Sequence, residues 1–127
     1  MSFQHIDQSF GSLVVNEGGL SVGGPVSLSG ALVTPYQYAV PLTGATVTAS
    51  ATAQGLIINP AADLAALTVV LPTSPRDGQV FAICTSRAVA TLTVTGTLAT
   101  GNALAALVAG TPVNFIYSST ASAWFKA

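Results

Sequence analysis

From Ala45 to Ala53 the chain alternates strictly between small apolar residues and hydroxyls. Ala45, Val47, Ala49, Ala51 and Ala53 are interleaved with Thr46, Thr48, Ser50 and Thr52. A period of two over nine residues sends alternate side chains to opposite sides of a pleated strand and leaves no stripe for a helix. Short strands are predicted downstream as well: Gln54–Asn59, Leu67–Leu71, Gln79–Cys84, and the series Thr91, Thr93, Thr95 alternating with Ala90, Leu92 and Val94. Val113, Phe115 and Tyr117 share one face of a penultimate strand, and Ala123, Trp124 and Phe125 form the last one. Pro72–Gly78 reads as a rigid turn in which Asp77-Gly78 supplies the positive-φ position. Asn59-Pro60-Ala61-Ala62-Asp63 carries a cap, a proline at the first helical position and an acid in the first turn, which predicts one helical turn at most. Residues 101–110 fit a strand edge or a short helix. Residues 43–127 are therefore expected to form an all-β domain, a β-sandwich of jelly-roll type, with a parallel β-helix as the alternative.

Upstream the pattern is thinner. Leu13-Val14-Val15, Leu20-Ser21-Val22, Val26-Ser27-Leu28 and Leu32-Val33 are apolar units separated by Asn16-Glu17-Gly18-Gly19, Gly23-Gly24-Pro25 and Ser29-Gly30. Each unit is too short to be a stable strand alone. One chain cannot bury such a ribbon, whereas three chains wound about an axis can. Leu13, Val15, Leu20, Val22, Val26, Leu28 and Leu32 are the expected contacts of a trimeric β stalk within residues 13–42. Thr34–Pro41 is read as its connector, because two prolines suppress ladder pairing. Tyr36 and Tyr38 would pack at the junction. A pair of hairpins in one sheet is the alternative for this segment. Residues 1–12 form a polar leader with Phe3, Ile6 and Phe10 at i, i+3 and i+7, either a frayed terminus or an arm that orders on another protein.

Charge sharpens the argument for covering. Three basic and four acidic residues are all that 127 positions supply, half of the residues are hydrophobic, and mean hydropathy is +0.66. A compact monomer of this mass would expose roughly 6,200 Å², or about 900 Å² for each charge. The surface must be coated with hydroxyls, covered by other copies, or both. Disorder is excluded by the apolar content. Nucleic-acid binding through a basic patch is excluded because Arg76, Arg87 and Lys126 are the only Lys or Arg residues. The most apolar stretch, Pro60–Pro72, is broken by Asp63 and falls short of the roughly 20 residues of a spanning helix, so no membrane role is expected. The first residues show neither a basic nor an apolar signal region, which predicts synthesis in the cytoplasm. Cys84, the lone cysteine, is expected to be a buried small hydrophobe.

No catalytic constellation is spelled out, and no enzyme, cofactor or metal site is predicted. His5 is the only histidine and lies in the leader, beside Asp7. The remaining acids are scattered, with Asp77 read as a turn residue and Asp63 as a helix-start acid. Trp124 could stack on a sugar but is expected in the core. The Thr-x-Thr ladders at 46–48 and 91–95 are similar to ice-binding surfaces, which need many stacked repeats of constant period.

Three features of the last 75 residues occur together. Gly55-Leu56-Ile57-Ile58-Asn59-Pro60 leads into Leu67-Thr68-Val69-Val70-Leu71-Pro72. The turn Pro75-Arg76-Asp77-Gly78-Gln79 follows, and Phe115-Ile116-Tyr117 and Ala123-Trp124-Phe125-Lys126 close the chain. This pattern resembles the head domain of small structural proteins of tailed bacteriophages: head fibres, capsid decoration trimers and some tail-fibre tips. Residues 11–34 are likewise similar to the fibrous stalks of viral fibre proteins. The resemblance implies an intertwined homotrimer with an N-terminal arm on the virion and a β-sandwich knob facing outward. The short stalk favours a capsid decoration (cement) or head-fibre protein bound to the major capsid protein, with Phe3, Ile6 and Phe10 as the capsid-binding residues. The alternative is a tail or baseplate adhesin that recognises a host surface glycan.

Overall fold

The computed structural model describes Val15 and residues 19–127. Two compact units are distinguished, Met1–Leu32 and Val33–Ala127. In the first, the described residues form no strand. The second holds eight strands: β1 Gln37–Ala39, β2 Thr46–Thr48, β3 Gly55–Ile58, β4 Leu64–Val70, β5 Val80–Thr85, β6 Val89–Thr95, β7 Val113–Ser118 and β8 Ala123–Lys126. The all-β expectation holds: the described residues contain no helix.

The strands form two sheets, and the first seven alternate between them while β8 returns beside β7. A five-stranded sheet has the order β1-β3-β5-β7-β8, and a three-stranded sheet has the order β2-β4-β6. Each of the first three strands in one sheet is followed by a strand in the other, and the next coil stacks parallel on the last. Gln37, Tyr38 and Ala39 pair with Leu56, Ile57 and Ile58, and Leu56 and Ile57 pair in turn with Ile83 and Cys84. In the small sheet, Thr46 pairs with Thr68 and Thr68 with Thr93. Only β5–β7 and β7–β8 are antiparallel. This winding replaces the antiparallel connectivity of a jelly roll with that of a parallel coil. The physical reason is the spacing: consecutive strands belong to different sheets, so each same-sheet neighbour lies one whole crossover away, as parallel pairing requires.

One core lies between the sheets. Leu56, Ile58, Phe81, Ile83, Phe115 and Trp124 come from the large sheet, and Val47, Leu67, Val69 and Leu92 from the small one. Val113 and Tyr117 pack against that cluster beside Phe115, as their shared face predicts.

Polar side chains fasten the coils at the corners. Asn59 donates from Nδ2 to Tyr38 Oη at 2.7 Å and accepts on Oδ1 from Ser86 Oγ at 2.5 Å, linking three successive coils. On the small-sheet side of the same corner Thr43 Oγ1 accepts from the Ala66 N–H, and Asp63 Oδ1 accepts from the Ala88 N–H at 3.2 Å. Asp63 thus holds the next coil instead of starting a helix. Residues 97–107 close the far end of the coil. The Trp124 N–H donates to the Thr97 carbonyl at 2.8 Å, the Leu92 N–H donates to the Ala105 carbonyl at 2.7 Å, and Val89 and Leu107 exchange a pair of bonds.

Three further expectations need correction. Thr34–Pro41 contains strand β1 between its prolines, because Pro35 and Pro41 bracket the ladder and the Pro35 carbonyl still accepts from the Gln54 N–H. The alternation at 45–53 yields a strand of only three residues before a turn, although Val47, Ala49 and Ala53 are buried as their phase predicts. Cys84 is only partly buried. It falls on the outer side of β5, because Phe81 and Ile83 take the inward positions.

Candidate interaction surface

Chemical sites are sparse. Among the described residues, no group of three or more His, Cys, Asp or Glu could hold a metal ion, and no helix is long and apolar enough to cross a membrane. A concavity of about 480 Å³ lies between two turns and is lined by Thr52, Gln54, Ser74, Arg76, Asp77 and Gln79, among others. The side chains of Asp77 and Gln79 are already engaged there. Asp77 Oδ1 accepts from the Ser119 N–H at 2.8 Å, and Gln79 Oε1 accepts from the Arg76 N–H at 3.0 Å. Gly78 has φ 77°, so the Asp-Gly turn forms as expected, and Asp77 pins it to the β7–β8 turn. These contacts describe a built corner.

Trp124 is 2% exposed and meets Tyr117 edge-on, with ring centroids 5.4 Å apart. Its indole belongs to the core and has no free face for a sugar.

The candidate surface is apolar. Of the predicted site residues, Phe3, Ile6, Phe10 and Leu13 lie outside the described residues. Val15, Leu20, Val22, Val26, Leu28 and Leu32 are all exposed, between 46% and 72%. No strand or backbone hydrogen bond among the described residues includes 19–34.

The second unit carries an apolar surface that strand periodicity alone did not single out. The outer side of the large sheet displays Tyr38, Ile57 and Cys84 in one cross-strand row, and Val80, Ile116 and Phe125 in another. Tyr38, Ile57, Val80, Ile116 and Phe125 are exposed. No charged residue stands in either row. The outer side of the small sheet is different. Thr46, Thr68 and Thr93 form one row there, and Thr48, Val70 and Thr95 the next. A legible signal for the apolar face did exist. Leu56-Ile57-Ile58 and Val80-Phe81-Ala82-Ile83-Cys84 break the alternation that Thr91–Thr95 keeps.

Set against family models, curated proteins and solved structures, the chain matches none of them.

Proposed function

We propose that this chain is a non-enzymatic bacteriophage virion protein: a capsid decoration or head-fibre protein that binds the capsid surface as a homotrimer and stabilises the shell. In this reading the apolar ribbon of residues 13–34 is the intertwined stalk, the two-sheet unit that includes β1 is the knob, and the leader anchors on the major capsid protein through Phe3, Ile6 and Phe10. Synthesis is in the host cytoplasm, and neither nucleic acid nor membrane takes part.

One observation carries the reading. A ribbon whose described apolar side chains are 46% exposed or more has no ladder partner among the described residues of its own chain. Removing such side chains from water is worth on the order of 1 kcal/mol each. Sister copies wound about an axis would supply the missing partner. A trimer that spans neighbouring capsid subunits stabilises the shell by mass action, because it binds the assembled surface and not its separated parts. That task requires a matching symmetry and an anchoring surface, and no catalytic group. The adhesin alternative gains nothing from Trp124, which is in the core.

The test is localisation and binding. Immunogold labelling of intact particles is expected to decorate heads, and the purified protein is expected to co-sediment with empty capsids. Label confined to tails would contradict the proposal.

A further inference from the structure

Building on that reading, we infer that the outer face of the five-stranded sheet is the contact between copies of this chain, and that the threonine rows of the small sheet stay in water. The first reason lies in the two sheets themselves. A strand with one wet face alternates in polarity, whereas a strand covered on both faces reads as a near-continuous apolar run. Strands β2 and β6 follow the first rule: Thr46-Val47-Thr48 and Thr91-Leu92-Thr93-Val94-Thr95 turn every threonine outward. Strands β3 and β5 follow the second, with Ile57, Val80 and Cys84 outward and Leu56, Phe81 and Ile83 inward. On β3 and β5 the sequence treats the outside of the large sheet as an interior, with the small Gly55 and Ala82 and the uncharged Asn114 in the row between.

Charge and area identify what covers it. A face with no ionised group offers nothing to a charged partner and complements a surface as neutral as itself, which this chain presents. Interface cores are depleted of charge and enriched in aromatic residues, and Tyr38 and Phe125 provide the aromatics here. Five strands about 4.8 Å apart and some 15 Å long give a footprint of about 400 Å². A standard interface takes about 800 Å² from each partner. The sheet face supplies about half of that, and the exposed ribbon at 19–33 offers the same kind of surface for the remainder. Sister copies bring both surfaces at once.

Cys84 reports on this face, since it sits in the central strand β5 and is partly accessible. In the full chain, its alkylation by a water-soluble maleimide is expected to be about tenfold or more slower at micromolar than at low nanomolar concentration. Ile57→Glu combined with Ile116→Glu changes two exposed positions and leaves the core intact. It is expected to weaken self-association about 100-fold or more, given the cost of burying unpaired charge, with an unchanged circular dichroism spectrum. Thr93→Arg, on the opposite face, is expected to leave association unchanged. An oligomer that persists in the double glutamate variant, or Cys84 reactivity that ignores concentration, overturns the inference while leaving a capsid role intact. An oligomer that dissociates as expected but never binds capsids would instead overturn the capsid reading and leave this interface standing.

Discussion

Gln37 reaches across from the first strand of the large sheet to the end of the small one, donating from Nε2 to the Thr48 carbonyl at 3.0 Å. The same carboxamide accepts from the Ser50 N–H on Oε1 at 2.9 Å. One side chain therefore ties both sheets together in the first coil, at the end opposite the closing segment 97–107. Gln37→Ala removes both bonds. At a net worth of about 1 kcal/mol per bond, stability in urea should fall by about 1–2 kcal/mol, with faster hydrogen exchange at the Ser50 amide. An unchanged Ser50 exchange rate would contradict this bridge.

Gly96 is a second constrained position. It has φ 135°, and a Cβ built on it would stand 3.2 Å from Leu71 Cβ, which is itself buried. Gly96→Ala meets both a disfavoured backbone and a crowded core. A loss of about 2–3 kcal/mol is expected from the two effects together. Gly78→Ala meets only the backbone cost, since nothing lies within 4 Å of its added Cβ. It should lose about 1–2 kcal/mol. Chemical denaturation of the two variants side by side checks the ranking.

Much of this fold is legible in the sequence, and the illegible part has a definite cause. Alternating phase correctly places Val47 and Leu92 inside, and the shared face of Val113, Phe115 and Tyr117 against the core. Period two says which side of a strand a residue faces and nothing about whether its neighbour runs parallel. The connections around the turns at 50–54 and 72–78 look like hairpin links, yet each carries the chain from one sheet to the other. Unequal coil lengths hide the repeat that would have shown the stacking. The corner ladder of Tyr38, Asn59 and Ser86 joins residues far apart in sequence, so no local motif announces it. The apolar outer face was visible only as a lapse in alternation at Ile57 and Val80.

Asp77 serves structure in this account. Its carboxylate accepts from the Ser119 N–H, while neighbouring Gly78 donates its N–H to the Tyr117 carbonyl at 2.8 Å. Asp77→Ala should cost about 1–2 kcal/mol by stranding that amide and freeing the turn. Capsid co-sedimentation by the folded variant should match the parent.

Trp124 tests core against recognition. Trp124→Ala empties a buried site and removes the edge contact with Tyr117, so a loss of about 3–5 kcal/mol is expected. Thermal unfolding would show it. A Trp124→Phe variant keeps most of the volume and should recover much of the stability. Stability unaffected by Trp124→Ala, together with loss of binding on a glycan array, would contradict the core assignment.

Self-association of the full chain is the most direct check on the central claim, because an exposed apolar ribbon and an uncharged sheet face both require company. Native mass spectrometry at micromolar concentration should find a species three times the 12.7-kDa chain mass, and dilution should release subunits only at far lower concentration. A folded single chain as the sole species across that range would contradict the account.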